Sequence, residues 1–198
     1  MRPAIAIILL IPLMGKPYFT AREARELGVH PSALNHYVKT GHIKRVSRGV
    51  YQGSEYHNPS AFRWPDLIEA VYSIKDGVIC LISALAVHDL TEEIPRKHWI
   101  AIRHDTSIKP KRGVKIIRYR DMHLGKTEVM LEGVKIPIFD RERTIIDAFR
   151  LLSLETAIKA LKFALAKKGN NRIDLVKLQE YARRLRVNIT PYLMSITT

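Results

Sequence analysis

A single cysteine, Cys80, is all that this chain carries. That excludes an internal disulfide and a cysteine-rich zinc site, and its place in the apolar run Val78 to Ile82 reads as core in a protein suited to a reducing cytoplasm. A phosphate-cradling glycine loop, paired metal-binding cysteines and a His-Glu-x-x-His helix are also missing. Acidic residues are scarce, with 19 Asp and Glu against 33 Lys and Arg in 198 residues, for a formal charge of +14. The remaining carboxylates are scattered, so the sequence calls for no catalytic residues, no metal and no cofactor. The sharpest enzymatic alternative is a metal-dependent nuclease built from Asp105, Asp121, Glu132 and Lys135. It requires a spatial cluster around a cation that spacing does not supply, and Glu132 is better read as a hairpin-turn residue.

Long apolar runs are rare as well, and the one at the start, MRPAIAIILLIPLMG, imitates a secretory signal by following a single Arg. It is too short to span a bilayer, Pro12 interrupts it, and no small-x-small cleavage site follows. The expectation is an apolar first helix packing beneath the segment that comes next, with a cleaved signal as the alternative and no membrane as partner.

What is present in quantity is positive charge, the footprint of a polyanion partner, and 46% hydrophobic residues, ample for a core. The organising stretch runs from Tyr18 to Gln52. Thr20 can cap a helix whose third residue is Glu23, a capping-box pair, and Ala21, Ala24 and Leu27 then share one face. Gly28 stops that helix, Val29 and His30 turn, and Pro31 opens a second helix reaching about Thr40, where a missing N–H costs nothing. Ala33, Leu34, Tyr37 and Val38 supply its buried stripe, whereas Ser32, Asn35, His36 and Lys39 point away. Ile43, Val46, Val50 and Tyr51 around Ser47-Arg48-Gly49 then predict a two-stranded hairpin with Lys44, Arg45 and Arg48 at its edge and tip.

Helix, short turn, helix and basic hairpin is the order of a winged helix-turn-helix. Residues 16–53 hold seven Lys or Arg against two Glu. Ser, Asn and His near the start of a recognition helix suit base edges in a major groove, and the hairpin suits phosphates. Thr20, Ser32, Asn35, His36, Lys39, Lys44, Arg45 and Arg48 are therefore the DNA-binding candidates of this segment.

Gly53 to Ser60, with Asn58-Pro59, is polar and turn-rich, so the expected domains are residues 1–57 and 58–198. Beyond it the pattern predicts a helix from Pro65 ending before Gly77, an apolar strand from Val78 to Ile82, and a helix capped by Ser83 reaching Leu90. Four strands follow, Trp99 to Arg103, Val114 to Arg120, Glu128 to Leu131 and Val134 to Phe139, with Glu132-Gly133 as a hairpin turn. Helices over Asp140 to Leu152, Leu154 to Lys167 and Asp174 to Val187, and a short one from Thr190, complete an α+β chain: a winged helix-turn-helix followed by a small mixed-sheet domain with C-terminal helices.

In that second part His88 reads as half-buried and bonded to backbone, and Arg143 and Asp147 as an i, i+4 helix pair worth a few tenths of a kcal/mol. Residues 95–126 carry ten Lys or Arg against two Asp. Lys109, Lys111 and Arg112 lie on a loop there, placed to grip a second stretch of phosphates or to face an acidic partner protein. Residues 141–186 hold twelve basic against five acidic residues, spread around helices as a solvated face would be.

Tyr18 to Gln52 resembles the N-terminal winged helix of the AbiEi family of type IV antitoxins. The segments Ser83 to His88 (SALAVH) and Arg143 to Asp147 (RTIID) are similar in order and spacing to that family's C-terminal domain. The resemblance implies a cytoplasmic regulator that binds double-stranded DNA at its own operator and counteracts a co-encoded nucleotidyltransferase-like toxin, with an Arg143–Asp147 pair that anchors its helix to the sheet. A stand-alone winged-helix regulator without a toxin is the alternative, and the oligomeric state is left open.

Overall fold

The computed structural model describes residues 3–47, 49–54 and 63–197. Helix and sheet are mixed along the chain, an α+β protein. Two compact units are present, Met1–Lys75 with Val129–Ile136, and Asp76–Glu128 with Pro137–Thr198. The expected boundary at residues 57 and 58 lies outside the described residues.

The first unit opens with helix α1 (Pro3–Met14), followed by strand β1 (Phe19–Thr20), helices α2 (Ala21–Glu26) and α3 (Pro31–Lys39), strands β2 (Ile43–Ser47) and β3 (Val50–Gly53), and helix α4 (Pro65–Tyr72). Pro12 lies inside α1, the apolar first helix that the sequence predicts, without ending it. It sits in the last turn, where a proline forfeits one bond back to the Ile8 carbonyl and little helix remains to be broken. Leu10 and Leu13 of α1 are buried with Phe19, Ala24, Val29, Leu34, Tyr37, Ile43 and Tyr51 in one apolar cluster. Each such Leu contributes roughly 1.5–3 kcal/mol relative to exposure, so the first helix is part of the core beneath the helix-turn-helix.

Thr20 caps α2 as its spacing predicts. Its hydroxyl accepts the Glu23 N–H at 3.1 Å, while the Glu23 carboxylate accepts the Thr20 N–H at 2.7 Å. Burial raises the Glu23 pKa, but the Thr20 N–H and the Lys16 ammonium outweigh it and hold the carboxyl below its usual range. The hairpin is one strand richer than the sequence shows. β1 pairs antiparallel with β3, giving the order β1-β3-β2, and this central place explains why neighbouring Val50 and Tyr51 are both buried. The Ala21 N–H donates to the Gly49 carbonyl at 2.8 Å, which ties the hairpin turn to the start of α2. A bulge between Arg45 and Ser47 bends β2 as it leaves its partner.

The second unit contains strand β4 (Val78–Ile79), helix α5 (Leu81–Val87), strands β5 (His98–Arg103), β6 (Val114–Tyr119), β7 (Lys126–Leu131) and β8 (Val134–Phe139), and helices α6 (Arg141–Leu151), α7 (Leu154–Ala166), α8 (Leu175–Arg184) and α9 (Thr190–Thr197). The outer half of the β7–β8 hairpin groups with the first unit. The sheet order is β6-β5-β4-β8-β7, with β5–β6 and β4–β8 parallel and β4–β5 antiparallel. Glu132 and Gly133 both take positive φ, 49° and 78°, as a two-residue hairpin turn requires.

One sequence expectation fails here. The strand ends at Ile79, Leu81 at φ 47° turns the chain sharply into α5, and Ser83 lies inside that helix. Its hydroxyl accepts the Trp99 N–H at 2.9 Å and caps nothing. A run of apolar residues has no period that separates strand from buried helix, so the pattern could not locate this turn.

Candidate nucleic-acid interface

α3 folds as a short amphipathic helix because Leu34 and Tyr37 recur at the spacing of one helical face and are buried in the core. Ser32, Asn35, His36 and Lys39 are exposed on the remaining surface, as their positions predict. The His30 ring caps the helix. Its Nδ1 accepts the Ser32 N–H at 3.3 Å and lies 2.7 Å from the Ser32 hydroxyl, so that hydroxyl is already engaged in the free protein. At the other end Thr40 Oγ1 donates to the His36 carbonyl at 3.1 Å and lies 2.8 Å from His42 Nδ1. His36 and His42 both meet the Tyr37 ring edge-on, at 5.6 and 5.9 Å. His30 and His42 were absent from the sequence-derived candidates. The signal was faint: a histidine one residue before Pro31, and another just past Gly41.

Lys44 and Arg45 of β2 are exposed and follow α3 within a few residues, so the structure brings Asn35, His36, Lys39, Lys44 and Arg45 onto one unit. Arg48 lies outside the described residues. Thr20 is only half-exposed, and its hydroxyl and N–H are both committed to Glu23. Its place is at the cap of α2.

Lys109 and Arg112 are exposed and Lys111 half-buried on the loop joining β5 to β6, in the second unit. That loop returns the chain to the start of a parallel neighbour, and the Val114 N–H donating to the Lys111 carbonyl at 3.3 Å closes it. Close by, the Lys115 ammonium stands 3.6 Å over the Trp99 ring, and Arg103 is paired with Asp105.

The carboxylates proposed for a nuclease each carry a local duty. Asp105 holds Arg103, Asp121 accepts the N–H groups of His123 and Leu124, and Glu132 accepts the Trp64 N–H at 2.8 Å. Among the described residues no group of three or more His, Cys, Asp or Glu is placed to hold a metal ion.

The deepest charge in the second unit is structural. Arg143 and Asp147 are each 1% exposed and bonded at 2.7 Å. Arg143 also donates to the Leu124 carbonyl at 2.8 Å and the Asp121 carbonyl at 3.3 Å, and its guanidinium lies over the Phe139 ring at 4.7 Å. The surface-pair value expected from the sequence is therefore too small, because the spacing shows the pair but not its burial. His88 fits its sequence reading, with ring Nε2 2.8 Å from the Phe139 carbonyl. Burial is the main influence, pulling its pKa down and favouring the neutral ring.

Residues 12–52, the end of α1 through the hairpin, match the family model described as transcriptional regulator, AbiEi antitoxin. Over those residues the chain is similar to the AbiEi family. The match agrees with the resemblance carried by Tyr18 to Gln52, and the AbiEi family is one of regulators and antitoxins, which fits a regulatory chain better than an enzymatic one. No curated protein matches the chain. Among the described residues no helix is long and apolar enough to cross a membrane.

Proposed function

We propose that this AbiEi-type protein is a DNA-binding transcriptional regulator and the antitoxin of a type IV toxin–antitoxin pair. In this reading it represses its own promoter and counteracts a nucleotidyltransferase-like toxin encoded beside it. The observation that carries the DNA-binding part is the exposed row Asn35, His36 and Lys39 on α3, followed at once by exposed Lys44 and Arg45, in a chain of charge +14.

Asn35 and His36 read base edges in the major groove, and Ser32 joins them when its hydroxyl turns from His30. Lys39, Lys44, Arg45 and Arg48 neutralise phosphates and set the register without reading sequence. Thr20 acts by holding α2 against α3, with its backbone close to the phosphates that the N-terminal end of α2 faces. Lys109, Lys111 and Arg112 supply a second phosphate contact from the other unit, residues 58–198 forming the part that serves the toxin.

Selection of bound duplexes from a random pool tests the regulator. A single preferred sequence that also occurs upstream of the gene is the expected result, and a pool that stays random would remove sequence-specific repression. Growth rescue on co-expression with the neighbouring gene product tests the antitoxin, and toxicity left unrelieved would refute it.

A further inference from the structure

β5 and β6 run parallel in a register that pairs Trp99 with Lys115, so both side chains leave the sheet on one face, side by side. A cleft of about 710 Å³ opens there. Trp99, Ile82 of α5 and Val114 give it an apolar lining, and three cations join them: Arg96 and Lys97 from the segment that enters β5, and Lys115. All three cations are exposed.

Trp99 is only half-buried. It packs against two apolar clusters of its unit, while the Lys115 ammonium stands 3.6 Å over its ring. A cation is drawn to the negative face of an indole, but weakly where water competes. Because Lys115 carries that charge on a flexible four-carbon stem, it leaves the ring at small cost. The indole is then open to a flat partner, and the displaced ammonium to an anion.

These features select a ligand with two parts, a planar ring to stack on Trp99 and an anionic group for Arg96, Lys97 and Lys115. A nucleotide has both, and the cleft is within the size range of small-ligand sites. Glu93, the one carboxylate of the lining, accepts hydrogen bonds and donates none, so it suits the N–H edge of a base and repels the phosphate. The bases of a duplex are stacked on their neighbours, and a half-buried ring in a cleft reaches only an unpaired one. An acidic peptide would use the cations and leave the open indole without a purpose. We infer that this cleft binds an unpaired nucleotide, free or at the end of a single strand, with its base on Trp99 and its phosphate on Arg96, Lys97 and Lys115. The site is separate from duplex recognition by α3 and does not rest on it.

Trp99 can report its own occupancy. In the full chain carrying Trp64→Phe it is the only tryptophan, and a stacked base should quench its emission. Adenosine 5′-monophosphate is expected to quench saturably. Ribose 5-phosphate, which has no base, should leave the emission unchanged and bind about tenfold more weakly, the share that stacking supplies. The exposed double variant Arg96→Ala/Lys97→Ala should fold as wild type, lose about tenfold in affinity for the monophosphate, and bind adenosine as before. In calorimetry, Trp99→Leu should lower the affinity for the monophosphate to that for ribose 5-phosphate. Single-stranded hexaadenylate separates the two sources: a quenching midpoint tighter than that of the monophosphate supports a strand end, and an equal or weaker one a free nucleotide. An emission that adenosine, its monophosphate and the hexamer all leave unchanged overturns the inference. So does an Arg96→Ala/Lys97→Ala variant that binds the monophosphate like wild type, and so does tetraglutamate that displaces the monophosphate at equal concentration, which would make the cleft a seat for an acidic protein.

Discussion

Arg143 shows how far one side chain's meaning depends on burial. On a surface its i, i+4 partner would contribute a few tenths of a kcal/mol, but enclosed at 1% exposure it donates hydrogen bonds to the Asp147 carboxylate and to the Leu124 and Asp121 carbonyls and lies across Phe139. Removing Arg143 leaves the buried Asp147 with Arg150 alone, whose guanidinium bonds its other oxygen at 2.7 Å, so Arg143→Met should cost up to about 3–5 kcal/mol in denaturant unfolding. The double variant Arg143→Met/Asp147→Leu should be less destabilised than the single one; equal losses would mean that the carbonyl bonds carry the effect. A second cost would follow from crowding at the same place. At Gly125, φ is 69° and an added Cβ would stand 2.6 Å from the Arg143 Cβ, so Gly125→Ala should lower stability at least as much as an ordinary core substitution. Asn35 differs because it is exposed, and its loss is felt only by a ligand. Asn35→Ala should leave thermal stability unchanged, and a good bidentate base contact discriminates by ~1–3 kcal/mol, so the preferred sequence should relax at one position while nonspecific binding persists. An unchanged selected sequence would take Asn35 out of the readout.

At the scale of elements, the capping box between Thr20 and Glu23 sets the start of α2 and, through Ala21 and Gly49, the hairpin turn. Since the Glu23 carboxyl is held below its usual pKa in the folded state, its contribution is fully present above the ordinary glutamate range and is lost as pH falls through the lowered value. Unfolding of the full chain followed from pH 7 down to 3 should therefore show an acid-sensitive loss that Glu23→Gln reduces; an identical profile would leave Glu23 no part in it. Tyr72 responds at the other extreme. Burial and then the nearby Glu23 carboxylate push its phenol from the usual 10.0 up to about 12, so it leaves stability unchanged at neutral pH and lowers it only as the pH rises between those two values. These features also mark what the sequence could reveal. The capping box, the proline-started α3, the Glu132-Gly133 turn and nearly all helices announce themselves by local residue chemistry or period. β1 does not, since two residues have no period and its existence depends on Val50 and Tyr51 lying beside it. The turn at Leu81 is hidden for a related reason: its neighbours are apolar on both sides, and position along the sheet decides where strand gives way to helix. In the candidate interface, the exposed face of α3 was legible because its buried complement is, whereas the His30 cap depends on a ring rotamer that no spacing encodes.

The whole molecule adds what no element has alone, a positive field that reaches both units. A duplex draws in such a chain wherever its cations meet phosphates, and each contact that releases a counterion steepens the dependence of binding on salt by about 0.9 in log units. Three residues on the β5–β6 loop, Lys109, Lys111 and Arg112, decide whether the second unit shares in that field or serves another partner. If all three meet phosphates, the triple variant Lys109→Ala/Lys111→Ala/Arg112→Ala should lower the salt slope by roughly 2.7 and weaken every DNA sequence alike, because phosphate contacts carry no base information. Any fall in its melting temperature should come from the half-buried Lys111, since Lys109 and Arg112 are exposed, and Lys111→Ala alone measures it. A parallel variant in the winged helix, Lys44→Ala/Arg45→Ala, should lower the slope by roughly 1.8 on the same grounds, which gives the measurement an internal scale. If the hairpin variant lowers the slope and the loop variant leaves it untouched, DNA is held by the winged helix alone. The β5–β6 loop would then meet an acidic protein surface instead, and the same triple variant, binding DNA normally, should fail to relieve toxicity.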